Sequence, residues 1–282
     1  NANKKDTVFW NKNRPIPLTS EESIDYQKKD SIYLIRSSKT YLDSIDNKNN
    51  KFKIGNIIFG YTYKNSFKKM SFNYSGLMDL SSLTFNTVQG YNMSTGFSYY
   101  KRNEENGKRT EIRTDINYGF SDERLRVTGR FYHQFNNQNY ANLSINGGTK
   151  VEQFNSNEPI SPFINSTSTL FFKSNYMKLY NVEFARINYG QDIANGINVN
   201  GKVEYVQRKP LFNTTDFTIL KSDLPYTSNN PLDENDNLNP GFENHHLVII
   251  GLNARINFGN KYFSRPDGKF NFRNEKYPTL FL

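Results

Sequence analysis

Between Glu111 and Gln134 the chain alternates apolar and polar residues almost without a slip. Ile112, Thr114, Ile116, Tyr118 and Phe120 share one parity, and Arg113, Asp115, Asn117 and Gly119 the other. After the polar turn Ser121-Asp122-Glu123, Leu125, Val127, Gly129 and Phe131 alternate with Arg126, Thr128 and Arg130. A period of two puts each set on one side of a strand, so the stretch predicts an antiparallel hairpin with one apolar and one polar face. Each arm runs for about ten residues, more than a soluble strand needs and close to what a tilted strand needs to cross a bilayer.

The same pattern recurs on both sides. Ile57, Phe59, Tyr61 and Tyr63 alternate with Ile58, Gly60 and Thr62, and the basic turn Lys64 to Lys69 leads to Met70, Phe72, Tyr74 and Gly76. Met93, Thr95, Phe97 and Tyr99 form another strand, Asn106-Gly107 marks a turn, and Ala141, Leu143 and Ile145 continue the series to Gly147-Gly148. Val199, Val203 and Tyr205 against Asn200, Lys202 and Glu204 follow the turn Asn195-Gly196. The cleanest strand is the last: Val248, Ile250, Leu252, Ala254, Ile256 and Phe258 against Ile249, Gly251, Asn253, Arg255 and Asn257. About ten strands joined mostly by short turns imply an up-and-down meander.

Three segments break the alternation. In 148–184, Glu158-Pro159 and Ser161-Pro162 punctuate a polar loop, and Phe172, Tyr176, Leu179, Tyr180 and Phe184 fall at helical spacing, predicting a short helix packed on the sheet. Residues 210–244 read as a long functional or mobile loop, and Tyr262 to Tyr277 as a loop before a further strand.

Residues 1–50 differ in kind. A polar lead-in, Asn1 to Asp6, precedes Phe9-Trp10 and the prolines of Arg14-Pro15-Ile16-Pro17, which hold the chain extended. Thr19-Ser20-Glu21-Glu22 is a capping box, and Ile24, Lys28, Ile32, Ile35 and Leu42 give loose helical spacing to about Asp46. This predicts a linker and helix over 1–50, connecting to the mouth of a strand domain over 51–282, with a plug inside a lumen as the alternative.

Composition narrows the choice. No window approaches eighteen consecutive apolar residues, which excludes a transmembrane helix but not a barrel, whose strands are only half apolar. A mean hydropathy of −0.78 alongside 15% aromatic residues, 19 Tyr and 23 Phe among them, suits a barrel wall with aromatic girdles. Cysteine is absent, which removes disulfides, thiolate metal sites and cysteine nucleophiles. The net charge of +9 is scattered along strands and loops rather than gathered in a run, so it reads as general surface charge and not as a nucleic-acid site. No signal peptide is present, and Asn1 and the apolar run to Leu282 suggest a fragment or processed chain, with more strands in the intact protein.

The apolar parities stay free of charge, and an Arg on a lipid face at mid-bilayer costs roughly 2–4 kcal/mol. Arg113, Arg126, Arg130 and Arg255 all fall on the polar parity, as do Asp115, Lys202 and Glu204. These seven are the candidate lumen-facing residues, with Asp115 and Glu204 as counter-charges, because an unpaired ion in a narrow lumen is expensive. The fold class expected is therefore all-β: a partial antiparallel up-and-down transmembrane β-barrel, preceded by a linker helix.

Catalytic chemistry is not in evidence. His133, His245 and His246 lack metal-ligand spacing, and His245-His246 before a strand reads as an interfacial pair. Asp233-Glu234-Asn235-Asp236-Asn237 resembles the start of a calcium loop but lacks its glycine and its closing glutamate. No nucleophile elbow or phosphate-binding glycine motif occurs, so neither enzyme, metal nor cofactor is expected.

Three stretches carry a family resemblance. They are Phe9-Trp10-Asn11-Lys12-Asn13-Arg14-Pro15-Ile16-Pro17-Leu18-Thr19 with Asp30-Ser31-Ile32 beyond it, then Arg208-Lys209-Pro210-Leu211-Phe212-Asn213-Thr214-Thr215-Asp216, and then Ser264-Arg265-Pro266-Asp267-Gly268-Lys269-Phe270. Together they resemble a family of Bacteroidota outer-membrane proteins in which a carboxypeptidase-regulatory-like β-sandwich precedes a barrel of unknown function. The resemblance implies a location in the bacterial outer membrane, with lipid and other envelope proteins as the expected partners, and brings no catalytic residues. Transport across the outer membrane, or its assembly and maintenance, is the expected role. The alternatives are a closed barrel anchoring loops that bind glycan or a partner protein, and a soluble β-sandwich module that needs no detergent.

Overall fold

The computed structural model describes residues 7–13, 18–77, 83–103, 106–155, 157, 159–220, 224–265, 268–272 and 276–282. The lead-in Asn1 to Asp6, the Arg14–Pro17 proline segment, Glu158, and Pro266-Asp267 of the third resembling stretch lie outside the described residues.

Helix α1 (Thr7–Asn13) precedes α2 (Ser20–Ser37), which begins at the capping box read from the sequence. Thr19 Oγ1 accepts from Glu22 N at 3.2 Å, and Glu22 Oε2 accepts from Thr19 N at 2.9 Å. The helix does not run unbroken to Asp46. Ser38 is extended, its hydroxyl donates to Ile35 O at 2.7 Å and accepts from Tyr41 N, and a separate α3 (Lys39–Asn49) follows. A serine that can bond its own neighbours favours a cap over a helix interior. No residue of α2 is buried, whereas α3 is tied to the sheet by Asp46, whose carboxylate accepts from Ser66 N and Ser66 Oγ at 2.6 and 2.8 Å.

The strand expected over Ile57–Tyr63 is in part a turn of helix, α4 (Gly55–Phe59). Asn56 closes it, accepting from Lys53 N and donating to Gly60 O, and Gly60 at φ +91° redirects the chain into β1 (Tyr61–Asn65). There follow β2 (Met70–Tyr74), β3 (Leu83–Asn86), β4 (Gly90–Arg102), β5 (Arg109–Gly119), β6 (Arg124–Gln134) and β7 (Asn142–Gln153). Helix α5 (Pro162–Phe172) separates these from β8 (Leu179–Ala194), β9 (Ile197–Pro210) and β10 (His245–Asn257). The end of the chain holds β11 (Lys261–Arg265), β12 (Gly268–Phe272) and β13 (Thr279–Phe281).

Eleven of these strands form one antiparallel sheet in the order β1-β2-β4-β5-β6-β7-β8-β9-β10-β13, with β3 pairing on β4. This is the expected meander, as an open sheet; no closed barrel occurs among the described residues. The opening hairpin has the register its alternation requires, with Ile112 opposite Phe131 and Ile116 opposite Val127.

Two expectations fail between 148 and 184. Strand β7 continues past Gly147-Gly148 to Gln153, and the helix lies earlier than the aromatic spacing suggested. Pro162 starts α5 at its first position and Lys173, at φ +53°, ends it, so Leu179, Tyr180 and Phe184 belong to β8. The tail 262–277 is not simply a loop either: β11 and β12 pair as a hairpin that rests on the β6–β7 turn, Lys269 N donating to Asn137 O at 3.0 Å.

The two ends of the sheet differ. The turns β1–β2, β4–β5, β6–β7 and β8–β9 lie at one end, where α3 docks. The long connections, containing β3, α5 and residues 211–244, lie at the other. Nearly all the buried apolar residues gather there, including Val88, Met177 and Leu179 in one cluster and Tyr180, Val182 and Val206 in another.

Candidate functional site

Strand registers place two rows of opposite character across the sheet. On one face Tyr63, Phe72, Tyr99, Ile112, Phe131, Ile145, Ile187, Val203 and Ile250 stand side by side across nine strands. On the other, Thr62, Asn73, Ser98, Arg113, Arg130, Asn146, Arg186 and Glu204 do the same. Exposure on the two faces is uneven, Arg113, Arg130 and Arg255 being exposed on the polar one. Ile250 and Leu252 are 77% and 75% exposed, whereas Arg126 is 2% and Glu204 4% exposed on the polar side. The polar face lines a cavity of about 610 Å³, bordered by Asn73, Ser98, Arg113, Asp115 and Arg126 among others.

Within this face the seven candidates divide into pairs and singles. Arg113 pairs with Asp115 on its own strand at 2.9 Å; both side chains are half exposed, so the pair is worth at most about 1 kcal/mol. Arg130, opposite Arg113, sits 5.9 Å from the Tyr132 ring. Glu204 is held by two cations, Arg186 and Lys202, the latter at 3.1 Å. Arg255 lies far along β10, exposed, between Asn198 of β9 and Phe281 of β13.

Arg126 is the most enclosed. It bonds Asp122 at 2.5 Å and Asn181 Oδ1 at 3.1 Å, while its Nη1 has no acceptor among the described residues. The reason is a break in the wall. Pairing of β6 with β7 stops at Thr128 opposite Gly148, although β7 goes on pairing with β8 to Gln153. Gly148 sits at φ +133°, and a Cβ there would lie 2.1 Å from Val127 O, so only glycine fits. Past that point β8 brings Asn181 to Arg126.

The long connections close over this end. Thr87 Oγ1 donates to Asn213 Oδ1 at 2.5 Å, Asn229 Nδ2 donates to Leu179 O and Leu211 O, and Tyr226 OH donates to Thr169 O. The described parts of this connection, 211–220 and 224–244, are therefore tied down by amide hydrogen bonds. Burial pushes the Lys178 ammonium below the ordinary lysine range, with Glu234 acting weakly against it, and its Nζ donates to Ser228 O at 2.6 Å. Among the histidines, His246 Nδ1 meets Tyr205 OH at 2.6 Å and His133 Nδ1 meets Thr110 Oγ1 at 2.9 Å, both at strand positions.

Sequence reading missed Arg186, Asp122, Asn181 and Asn229. Asp122 stands four residues before Arg126 across a tight turn, a spacing that could have suggested the pair. Nothing local points to Asn181 or Asn229, whose partners lie 18 to 55 residues away.

Residues 55–282 match the C-terminal domain of a family of unknown function, DUF5686. The chain belongs to that family. The family is one whose function is unknown, as the resembling stretches implied, and no curated protein and no solved structure matches the chain. No helix among the described residues is long and apolar enough to cross a membrane, which says nothing of a β-barrel. No group of three or more His, Asp or Glu among the described residues is placed to hold a metal ion.

Proposed function

We propose that this DUF5686 chain forms part of the wall of an integral outer-membrane β-barrel, working in transport across that membrane or in its assembly and maintenance. The observation that carries the reading is the apolar row crossing nine strands with no described residue packed over it, while guanidinium and carboxylate groups occupy the opposite face. In water such a face far exceeds the patches that a soluble monomer tolerates. In lipid it becomes the stable side, and strands β4 to β10, of 11 to 16 residues, are long enough to span, whereas β1 and β2 hold five residues each. The polar residues Arg113, Asp115, Arg126, Arg130, Lys202, Glu204 and Arg255 then line the lumen.

Barrels of this kind carry short turns on the periplasmic side and long connections outside. On that rule α2 and α3 enter from the periplasm. The packed connection 211–244 favours a second reading within the same location, a stoppered barrel that displays its outer surface. Planar-bilayer conductance separates the two: a persistent open channel supports transport, and a silent one the anchor.

The membrane reading is tested by spin labels on single cysteines at 247 to 256 of the full chain in phosphatidylcholine vesicles; the chain has no cysteine of its own. Oxygen should reach Val248, Ile250, Leu252 and Ala254 preferentially, and a water-soluble nickel complex the alternate positions. Equal access of the nickel complex to Ile250, or shielding of it from both reagents, would overturn the proposal.

A further inference from the structure

Helix α5 (Pro162–Phe172) is built inside out. Its buried positions are Asn165, Thr169 and Leu170, and its exposed ones include Phe163, Ile164, Phe171 and Phe172, the last 72% exposed. Residues 163, 164, 167, 171 and 172 follow the three-to-four spacing of one helical face. No residue from Pro162 to Phe172 is charged.

The side chains of Asn165, Ser166, Thr167 and Thr169 in this helix are bonded within the protein. Asn165 Oδ1 accepts from Tyr176 N and Met177 N at 3.2 and 3.0 Å, and Thr169 Oγ1 donates to Asn165 O. Ser166 Oγ accepts from Phe85 N at 2.8 Å, fixing the helix to β3. Even Thr167, which lies on the exposed face, turns its hydroxyl back to Phe163 O at 3.1 Å. That is the arrangement a medium without hydrogen-bonding capacity demands.

Position selects the occupant. Strand β3 aligns Leu83 with Met93 and Phe85 with Tyr91, on the apolar side of the sheet, and Phe85, Tyr91 and Phe217 form an aromatic group beside the helix. The bare face of α5 thus continues the bare face of the strands at the end that carries the long connections. A protein partner would be expected to meet charged and polar rim residues around such a core, and the helix carries no charged residue of its own. We infer that α5 is an interfacial helix, its Phe163–Ile164–Phe171–Phe172 face seated in the boundary layer of the lipid bilayer, where it fixes the depth of the sheet. The inference rests on the barrel reading and extends it to a segment that does not span.

The test uses the full chain in phosphatidylcholine vesicles, with an environment-sensitive NBD fluorophore on a single cysteine at Ile164, Phe171 or, as a strand reference, Leu252. Lipids carrying nitroxides at shallow and deep acyl positions serve as quenchers. The expected result is blue-shifted emission at positions 164 and 171, quenched more by the shallow nitroxide, with the label at 252 quenched more by the deep one. Deep quenching at 252 with water-like emission at 164 and 171 would overturn the inference and leave the barrel standing. Blue-shifted emission there without lipid quenching would mean protein cover, a second copy included, and would equally overturn it. Absence of quenching at all three positions would instead sink the barrel reading itself. A Phe171→Ser, Phe172→Ser variant supplies a second measure: shallow quenching at position 164 should fall by at least half while that at 252 is retained.

Discussion

The sheet body and its long-connection end obey opposite rules of burial. In the body, from Lys101 down the hairpin to Ile250, aliphatic and aromatic side chains face outward and ions face the enclosed side. At the long-connection end, Val88, Met177 and Leu179 are packed inside, as in any water-soluble core. The boundary between the two regimes falls within single strands. On β8, Tyr180, Val182 and Phe184 share a parity with Arg186 and Asn188, while Ile187 and Tyr189 share the other with Asn181 and Glu183. One strand thus changes its apolar side midway, near Ala185. On the proposed membrane reading, the capped end is the part that would hold together in water and the body the part that faces lipid.

The comparison can be broken where each regime is most dependent on its surroundings. Replacing Leu179 by Ala should cost about 2–5 kcal/mol, the range for emptying a packed core site. Hydrogen exchange should then show lost protection over α5 and 211–230 while β4–β6 stay protected; a uniform loss would mean that the two regions unfold as one. Ile250→Arg should cost roughly 2–4 kcal/mol in a bilayer, read from urea titrations of the chain in vesicles. A value near zero would put Ile250 in water and erase the difference between the regions.

Asn165→Ala removes the acceptor for Tyr176 N and Met177 N, and leaving buried donors unpaired costs about 1–3 kcal/mol. Exchange of those two amides should accelerate with little change on β10. The smallest effect belongs to a third region, the N-terminal helices. Thr19→Ala should lower the stability of α2 by about 1 kcal/mol, visible as faster exchange over residues 20–24. Because α2 buries nothing, the sheet should be unaffected; a loss of sheet stability would mean that α2 packs more closely than its exposure indicates.

Alternation alone established the hairpin 109–134, β4, β9 and β10, because one parity of each is apolar through most of its middle. The capping box at Thr19 was equally legible, being a contact between residues three apart. The polar parity of the seven candidate residues could be read as well, and the registers keep Arg113, Arg130 and Glu204 in one row. Strand β8 escaped notice for the reason its packing gives: its apolar side reverses midway, so no single parity looks apolar, and its aromatics mimic helical spacing.

What tertiary structure alone decided concerns separations too long for any local pattern. The break at Gly148, the approach of Asn181 to Arg126 and the closure by Asn213 and Asn229 join residues from about 20 to 126 positions apart. Polar side chains of that kind carry no periodic signature; only the folded chain determines which partner each one meets. Side-chain period is a property of the strand, so the sequence could specify two faces, but which face is enclosed depends on how the whole sheet curves and what covers its ends.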